Sequence, residues 1–182
     1  MALVVSVLAS CSSDDGRSLR APRPDQAESV APASTVPPTF AVTGAWSEGG
    51  AIDVRHTCDG LNIAPTVSWS AAPADTAAFA VVLLDNDAPE YYHWIAANID
   101  ATAVTLDEGT TPEGVVVAEN SAGRTGYAGP CPPTGTSHTY SLSVYALSSR
   151  IDARSGVAAA DLLAQIQAAQ IQVATTTFTF AR

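Results

Sequence analysis

The chain has 182 residues, of which 47% are hydrophobic and 14% are charged. This length supports one domain with a packed core, and the low charged fraction indicates a folded rather than a disordered domain. The basic residues are all arginines and the formal net charge is −10, whereas nucleic acids and anionic membrane surfaces attract clustered basic side chains. The composition therefore excludes both as electrostatic partners.

The N-terminus combines a short apolar run with a cysteine directly behind it. The run, Ala2 to Ala9, is far shorter than the roughly 20 residues of a membrane-spanning helix, but it fits the core of a signal peptide. Leu8-Ala9-Ser10-Cys11 resembles the bacterial lipoprotein box, in which the cysteine is lipidated. We expect a signal peptide over residues 1–10 and a lipid anchor at Cys11, which would hold the exported protein on the outer face of the bacterial cell membrane.

An alternative is that this run is the apolar tail of a cytosolic protein. The basic residues that usually precede a signal-peptide core are missing, which suggests a translation start upstream or a truncated one. Residues 11–39 are rich in Ser, Asp, Ala and Pro, which predicts a solvated tether behind the lipidated cysteine. The folded domain is expected to span residues 40–182.

Short β-rich runs separated by turn residues fill most of this domain and predict an antiparallel all-β fold. The run FAVVLL before Asp85 is apolar at every position, as expected of a central strand that is covered on both faces. The predicted strands are Phe40–Thr43, Thr66–Ser70, Ala78–Leu84, His93–Ile99, Val115–Ala118 and Thr139–Leu147.

A helix is predicted from about Val157 to Gln170, followed by a last strand at TTTFTF. Leu162, Ile166 and Ala169 recur at helical spacing, and Ser155 is a candidate N-cap. The elements together predict a two-sheet sandwich with one short helix near the C-terminus.

Histidines stand at the entrance of two predicted strands, His93 as the first residue of one and His138 directly before the other. Because side chains alternate between the faces of a strand, each histidine is expected to share a face with apolar residues further along its strand. These are Ile95, Ala97 and Ile99 in one strand and Tyr140, Leu142 and Val144 in the other. One interpretation is that the two histidines form polar walls of a pocket above the core. The alternative is that each is an ordinary strand-edge histidine bonded to a backbone carbonyl.

Asp85 and Asp87 follow the central strand. A buried carboxylate is costly unless it is paired or hydrogen-bonded, so we expect Asp85 to accept a hydrogen bond from a pocket histidine. Asp87 is expected to stabilise the turn by accepting from backbone N–H groups around Ala88 and Pro89.

Four segments, in this order, resemble the signature of the phosphatidylethanolamine-binding protein family in its bacterial branch. They are HTCDGLNIAPTVSW at 56–69, LLDNDAP at 83–89, YYHW at 91–94 and GYAGPCPPTGTSHTY at 126–140. The resemblance covers roughly residues 40–151 and implies an antiparallel two-sheet Greek-key β-sandwich with a short C-terminal helix. The chain departs from the family at Asn86, where proline is usual, and the resemblance also implies a cis peptide at Pro89.

The resemblance implies a site for small anions and phosphoryl head groups such as phosphoethanolamine. Imidazoles, a phenol and backbone N–H groups can surround phosphate oxygens without any lysine, and Arg124 is a candidate for the rim. The expected ligand-binding residues are Asp85, Asp87, Pro89, His93, Gly129, Pro130, His138 and Tyr140.

Cys58 and Cys131 each lie inside one of these motifs. If Cys11 is lipidated, these two cysteines remain in an oxidising compartment, where a disulfide between them is the simplest interpretation. The alternative is two free thiols, because the sequence does not show how far apart the residues lie.

Three functions fit these observations. The first is a non-enzymatic surface lipoprotein that binds a small anionic or phosphorylated molecule, with no cofactor and no metal. The second, through the family's links to kinase and protease inhibition, is a protein inhibitor. The third is a metal-dependent or other hydrolase, against which the chain has neither a His-x-x-x-His spacing nor a G-x-S-x-G nucleophile motif.

The lipid anchor can be tested by mass. In bacterial membranes, the intact protein should carry a diacylglyceryl group at Cys11 and lack residues 1–10. A soluble product that retains Met1 would contradict this expectation.

Overall fold

The computed structural model of the chain describes residues 39–182. The predicted signal peptide, Cys11 and almost the whole tether lie outside these residues. Within them, no helix is both long enough and apolar enough to cross a membrane. The strands are β1 Ala41–Gly44, β2 Val67–Ser70, β3 Ala78–Asp85, β4 Tyr92–Asp100, β5 Thr105–Leu106, β6 Val116–Val117, β7 Ser137–Leu147 and β8 Gln170–Ala181, and the helix α1 is Ala159–Ala169.

The strands form two antiparallel sheets. One has three strands in the order β1-β2-β5, and the other has five in the order β6-β4-β3-β7-β8. A short 3-10 turn, Val54–His56, lies between β1 and β2. This arrangement confirms the predicted sandwich of two sheets with a short helix.

Strand β3 lies at the centre of the five-stranded sheet and separates two cores. Phe79, Val81 and Leu83 face the core between the sheets. Ala78, Ala80 and Val82 face the other core, where Leu162 and Ile166 of α1 cover the sheet. The all-apolar run before Asp85 is therefore buried on both faces, as predicted for a central strand.

Strand β4 does not keep the simple alternation that the sequence predicts, because it contains two bulges against β3. One extra residue, His93, lies between the pairs Leu83↔Trp94 and Leu84↔Tyr92, and a second lies between Phe79↔Ile99 and Val81↔Ala96. Ile95 therefore packs in the core beneath the helix, whereas Ile99 packs between the sheets. The prediction that the four residues His93, Ile95, Ala97 and Ile99 share one face is wrong, since each bulge shifts the alternation by one residue.

The C-terminal elements differ from the prediction in two details. The N-cap of α1 is Ala158, which provides no side-chain hydrogen bond, and Ser155 instead accepts a hydrogen bond from the backbone N–H of Val117 at 3.1 Å. Strand β8 starts directly after the helix, well before the predicted TTTFTF, because β7 pairs with it along nearly its whole length. The two-residue strand β5 was not predicted, since so short a run has no measurable periodicity.

The second bulge in β4 is held by Asn98, which is buried and has a φ of 65°. Its amide donates to the carbonyl of Ile151 at 2.9 Å and accepts from the N–H of the same residue at 2.7 Å. Replacing Asn98 by alanine removes both bonds and leaves a Cβ-bearing residue in the left-handed region. We expect Asn98→Ala to lower the free energy of unfolding by about 2 to 4 kcal/mol in urea denaturation.

Asn98→Gly is the matched control. Glycine loses the same two hydrogen bonds but adopts positive φ without strain, so it should be less destabilising than alanine by about 1 kcal/mol. Equal losses for the two variants would show that backbone strain contributes nothing at this bulge.

Candidate ligand-binding site

The predicted site residues meet at one end of the five-stranded sheet. Asp85, the last residue of β3, pairs directly with Tyr140 near the start of β7, and the β3–β4 hairpin returns His93 to the same end. A cavity of about 240 Å³ opens there. It is lined by Asp85, Ala88, Tyr91, His93, Cys131, Pro133 and His138.

The Asp85 carboxylate is buried, with 5% of the residue exposed, and is well hydrogen-bonded. Its Oδ1 accepts from the backbone N–H groups of Asp87 at 2.9 Å and Ala88 at 3.2 Å. Its Oδ2 accepts from Nδ1 of His138 at 2.8 Å. These bonds offset the cost of burying the carboxylate, and the bond from a pocket histidine is the one predicted from the sequence.

The loop after β3 is held differently from the prediction. Asp85, not Asp87, binds the turn N–H groups, and the exposed Asp87 instead accepts from the N–H of Thr139 at 2.6 Å. Asn86 donates its N–H to the carbonyl of Thr139 at 2.9 Å and accepts from the Ser141 hydroxyl at 2.9 Å. A proline at position 86 has no N–H to donate, so here hydrogen bonds to β7 replace ring rigidity.

Pro89 lies on the exposed part of this loop and is not among the cavity-lining residues. No peptide bond within residues 39–182 is cis, so the cis proline that the resemblance implies is not found. Trans is also the intrinsically preferred form of an X–Pro bond, by roughly 0.5 to 1 kcal/mol.

His93 is buried, and its two ring nitrogens have different roles. Nδ1 lies 2.7 Å from the carbonyl oxygen of Ala128, which can only accept, so Nδ1 carries the proton. Nε2 has no hydrogen-bond partner among residues 39–182 and lies 4.0 Å from Oδ2 of Asp85.

Burial lowers the pKa of His93 below its usual value, although the Ala128 carbonyl and Asp85 act in the opposite direction. A lowered pKa favours the neutral ring, whose Nε2 is a hydrogen-bond acceptor. The stability gained from burying this neutral ring is present above the unfolded pKa of about 6.5 and is lost as the pH falls below it. The predicted donation from His93 to an anion therefore requires the imidazolium, in which Nε2 carries a proton while Nδ1 keeps its bond to Ala128.

Tyr140 is fully buried beneath the cavity. Its hydroxyl makes no hydrogen bond of ordinary geometry in the described part of the chain, although it lies close enough to the Asp85 carboxylate for a weak one. Burial, and next the nearby charge of Asp85, raise the pKa of Tyr140 well above its usual value, so the phenol keeps its proton. The ring also packs edge-on against His93, with centroids 5.4 Å apart.

Gly129 and Pro130 shape the wall beside the cavity and do not line it directly. The N–H of Gly129 is taken by Oδ1 of Asn62 at 2.7 Å, and a Cβ at Gly129 would overlap the carbonyl oxygen of His56. The carbonyl of Pro130 accepts from the N–H of Cys58 at 3.1 Å. The glycine is therefore required by close backbone packing, not as a free donor to a ligand.

Cys58 and Cys131 form a disulfide, with Cα atoms 5.4 Å apart. The bond joins the loop before β2 to the segment before β7, and Cys131 lines the cavity. The structure thus resolves the choice between a disulfide and two free thiols, and the disulfide fixes one wall of the cavity.

The nearest cation identified at the cavity wall is not the predicted one. Arg124 is exposed and is not among the cavity-lining residues. The guanidinium of Arg182 lies 3.6 Å from Sγ of Cys131 and pairs with Asp59 at 3.0 Å. This position near the wall cannot be inferred from the sequence, because it depends on the pairing of β8 with β7.

Asp85, Asp87 and His138 have potential metal-ligating atoms within 4.8 Å of one another. Both oxygens of Asp85 and Oδ2 of Asp87 already accept hydrogen bonds from the protein. Of the potential ligand atoms in these three residues, the bonds leave Oδ1 of Asp87 and Nε2 of His138 free. Structural metal sites use four or more ligand atoms, so two are too few.

A second cavity, of about 370 Å³, lies at the start of α1. It is larger, but Glu90 and Glu119 line it and no predicted site residue does. Its two carboxylates disfavour an anion and no histidine accompanies them, whereas His93 and His138 accompany the single carboxylate of the cavity at Asp85, which is therefore the better candidate for the predicted ligand.

Tyr91 and Pro133 line the cavity but were not predicted as site residues. Tyr91 lies two positions before His93, and their rings are 4.8 Å apart, so strand alternation could have identified it. Pro133 lies at the cavity because of the path of the disulfide-linked loop. An irregular loop has no periodicity in its sequence from which this position could be predicted.

Comparisons with known proteins agree with these features. A family model described as phosphatidylethanolamine-binding protein matches residues 42–181. The predicted lipoprotein LppC of Mycobacterium tuberculosis is 34% identical over 183 aligned residues, which cover 95% of this chain and 90% of LppC. The protein YbhB of Escherichia coli is 34% identical over 128 residues, covering 62% of this chain and 81% of YbhB.

Among solved structures, Escherichia coli YbcL superimposes with a TM-score of 0.74 at 30% identity. The match covers 79% of this chain and 98% of YbcL, which is described as a member of the mammalian PEBP family.

The disulfide can be tested in the exported protein carrying Cys11→Ser. Thiol titration under denaturing, non-reducing conditions should detect no free thiol, and two per chain would contradict the pairing. Because the bonded residues are 73 positions apart, replacing both by serine should lower the free energy of unfolding by about 3 to 5 kcal/mol on the chain-entropy model. The Cys11→Ser protein after reduction is the matched control.

Proposed function

This chain belongs to the phosphatidylethanolamine-binding protein family, and we propose that it binds a small phosphorylated or other anionic ligand in the cavity at Asp85. The observation that carries this proposal is a pair of buried polar atoms beside the cavity, Nε2 of His93 and the hydroxyl of Tyr140, that make no hydrogen bond of ordinary geometry within residues 39–182. Buried polar groups are nearly always satisfied, so unpartnered ones indicate a place where a ligand or water completes the hydrogen bonding.

The size and chemistry of the cavity favour a small head group such as phosphate or phosphoethanolamine. Its volume of about 240 Å³ lies below the roughly 300 to 1,000 Å³ of most sites for drug-sized ligands. Tyr140 retains a hydroxyl proton and can donate a hydrogen bond, whereas His138, whose Nδ1 is bonded to Asp85, can donate from Nε2 to a ligand as an imidazolium. Affinity should be modest, because no cationic cluster surrounds the cavity.

We propose that binding is not followed by catalysis. Among the described residues, no serine or threonine lines the cavity. The cysteine that does, Cys131, is in a disulfide and therefore offers no thiolate nucleophile. The Asp85 carboxylate is engaged by three hydrogen bonds from the protein, which makes it a poor general base.

The proposed setting is an exported, lipid-anchored protein. LppC aligns with 95% of this chain, and a disulfide is expected in an oxidising compartment outside the cytosol. The tether over residues 11–39 would then connect the anchor at Cys11 to the binding domain.

His138→Ala tests the cavity as the binding site. Removing a charge-assisted hydrogen bond worth roughly 1.5 to 3 kcal/mol should weaken phosphate binding about tenfold or more in titration calorimetry. The fold should remain, because His138 is not part of either buried core, but the loss of its bond to the buried Asp85 should lower the free energy of unfolding by about 1 to 3 kcal/mol.

Ser143→Ala is the matched control on the same strand. Its hydroxyl bonds to Thr175 on the exposed face at 2.8 Å, so phosphate binding should be unchanged. Equal affinities for wild type and His138→Ala, or phosphate-induced NMR shifts that spare His93, His138 and Tyr140, would mean that the ligand binds elsewhere.

A further inference from the structure

We propose that the Cys58–Cys131 disulfide is a site of reversible modification by low-molecular-weight thiols, and that such a thiol attaches preferentially to Cys58. The exchange is independent of the proposed binding function. Two features of the disulfide support it, the exposure of both cysteines and the opposite charges that flank the two sulfurs.

The disulfide is accessible from solvent. Cys58 and Cys131 are both exposed, and Cys131 also lines the cavity at Asp85. Thiol–disulfide exchange begins when a thiolate reaches one of the two sulfurs, so its rate depends on access, and exposed disulfides are the ones that exchange most readily. A dissolved thiol can therefore reach this bond in the folded protein.

An ion pair straddles the disulfide. Nη1 of Arg182 lies 3.6 Å from Sγ of Cys131, and Oδ1 of Asp59 lies 3.9 Å from Sγ of Cys58. The two charged residues also pair with each other, with Nε of Arg182 3.0 Å from Oδ2 of Asp59. Their pairing holds a cation beside one sulfur and an anion beside the other.

The exchange consists of one displacement. The incoming thiolate forms a bond to Sγ of Cys58, the bond between the two cysteine sulfurs breaks, and its electron pair leaves on Sγ of Cys131. The sulfur of the small thiol is oxidised and that of Cys131 is reduced. The products are a mixed disulfide at Cys58 and a thiolate at Cys131.

The flanking charges favour this direction over the reverse one. A neighbouring arginine stabilises a thiolate, and the sulfur that forms the more stable thiolate is the better leaving group. Attack on Cys131 would instead leave a thiolate on Cys58, beside the carboxylate of Asp59. Asp85 also lines the cavity with Cys131, but three donors from the protein already compensate its charge.

The two joined segments remain together when the bond opens. The N–H of Cys58 donates to the carbonyl of Pro130 at 3.1 Å, and the N–H of Gly129 donates to Oδ1 of Asn62 at 2.7 Å. Neither bond involves a sulfur, so the exchange does not require unfolding. The Cys131 thiolate stays near Cys58 and can displace the attached thiol, which makes the modification reversible.

The test uses the full exported chain carrying Cys11→Ser and 2-mercaptoethanol, an uncharged thiol whose own charge cannot bias the result. After incubation at about pH 8, where part of a thiol is ionised, acid stops the exchange by protonating the thiolates. A maleimide then blocks the free thiols of the unfolded chain, and peptide mass mapping without reduction counts the two singly modified species. The flanking side chains are 32% and 39% exposed and water screens them, so the species modified at Cys58 should be about threefold or more in excess.

A double variant, Asp59→Asn with Arg182→Gln, removes both flanking charges without changing the net charge. The two species should then form in nearly equal amounts. The matched control is Arg55→Gln with Glu108→Gln, which neutralises an ion pair of 2.9 Å elsewhere and should keep the excess at Cys58.

Three outcomes would overturn the proposal. One is equal amounts of the two species in the chain with both flanking charges, or an excess at Cys131. Another is the absence of any mixed disulfide at a thiol concentration that modifies the urea-unfolded chain. The third is an unchanged excess at Cys58 in the folded double variant, which would show that the ion pair does not direct the exchange. If the double variant does not fold, the comparison on the chain with both charges still decides.

Discussion

The burial of one carboxylate organises this end of the molecule. Asp85 terminates the central strand, where it is largely shielded from water, so the protein provides most of its hydrogen bonds. Two come from the following loop and one from His138. The same three bonds fold the loop back onto the sheet, orient an imidazole at the cavity and leave one carboxylate oxygen beside His93. The shape of the cavity and its hydrogen-bonding capacity thus have a common origin.

Strand β4 shows how a small irregularity positions a functional group. The bulge at His93 places its ring beside Asp85 while Ile95 still packs beneath the helix. In a strand without the bulge, His93 and Ile95 would lie on the same face. Then either His93 would point away from Asp85, or Ile95 would leave the core beneath the helix. Bulges near ligand sites are common for this reason, since they re-aim one side chain at little cost to the sheet.

The chemistry of the cavity relies on hydrogen-bond direction more than on charge. The chain contains no lysine and has a net charge of −10, so long-range attraction for an anion is weak. What the cavity offers a small molecule instead depends on which atoms donate and which accept, and on a wall held by the Cys58–Cys131 disulfide. A rigid wall matters in such a site, because the energy of a hydrogen bond depends strongly on its geometry.

Much of this arrangement could be predicted from local patterns. Alternation along β7 correctly placed His138 and Tyr140 at the entrance of an apolar face, the all-apolar run identified the central strand, and the cost of burying Asp85 predicted its bond to a histidine. Other features could not be predicted in this way. The bulges in β4, the packing that requires Gly129 and the position of Arg182 depend on contacts with segments far away in the chain.

The sequence by itself thus determined which residues form strands, which faces are apolar and which side chains have the chemistry of a binding site. Only the tertiary structure decided which of those side chains meet and which of their atoms remain free to bind. The physical reason is that alternation and propensity act over a few neighbouring residues. The register between strands and the partner of each polar atom are instead set by which distant segments pack together.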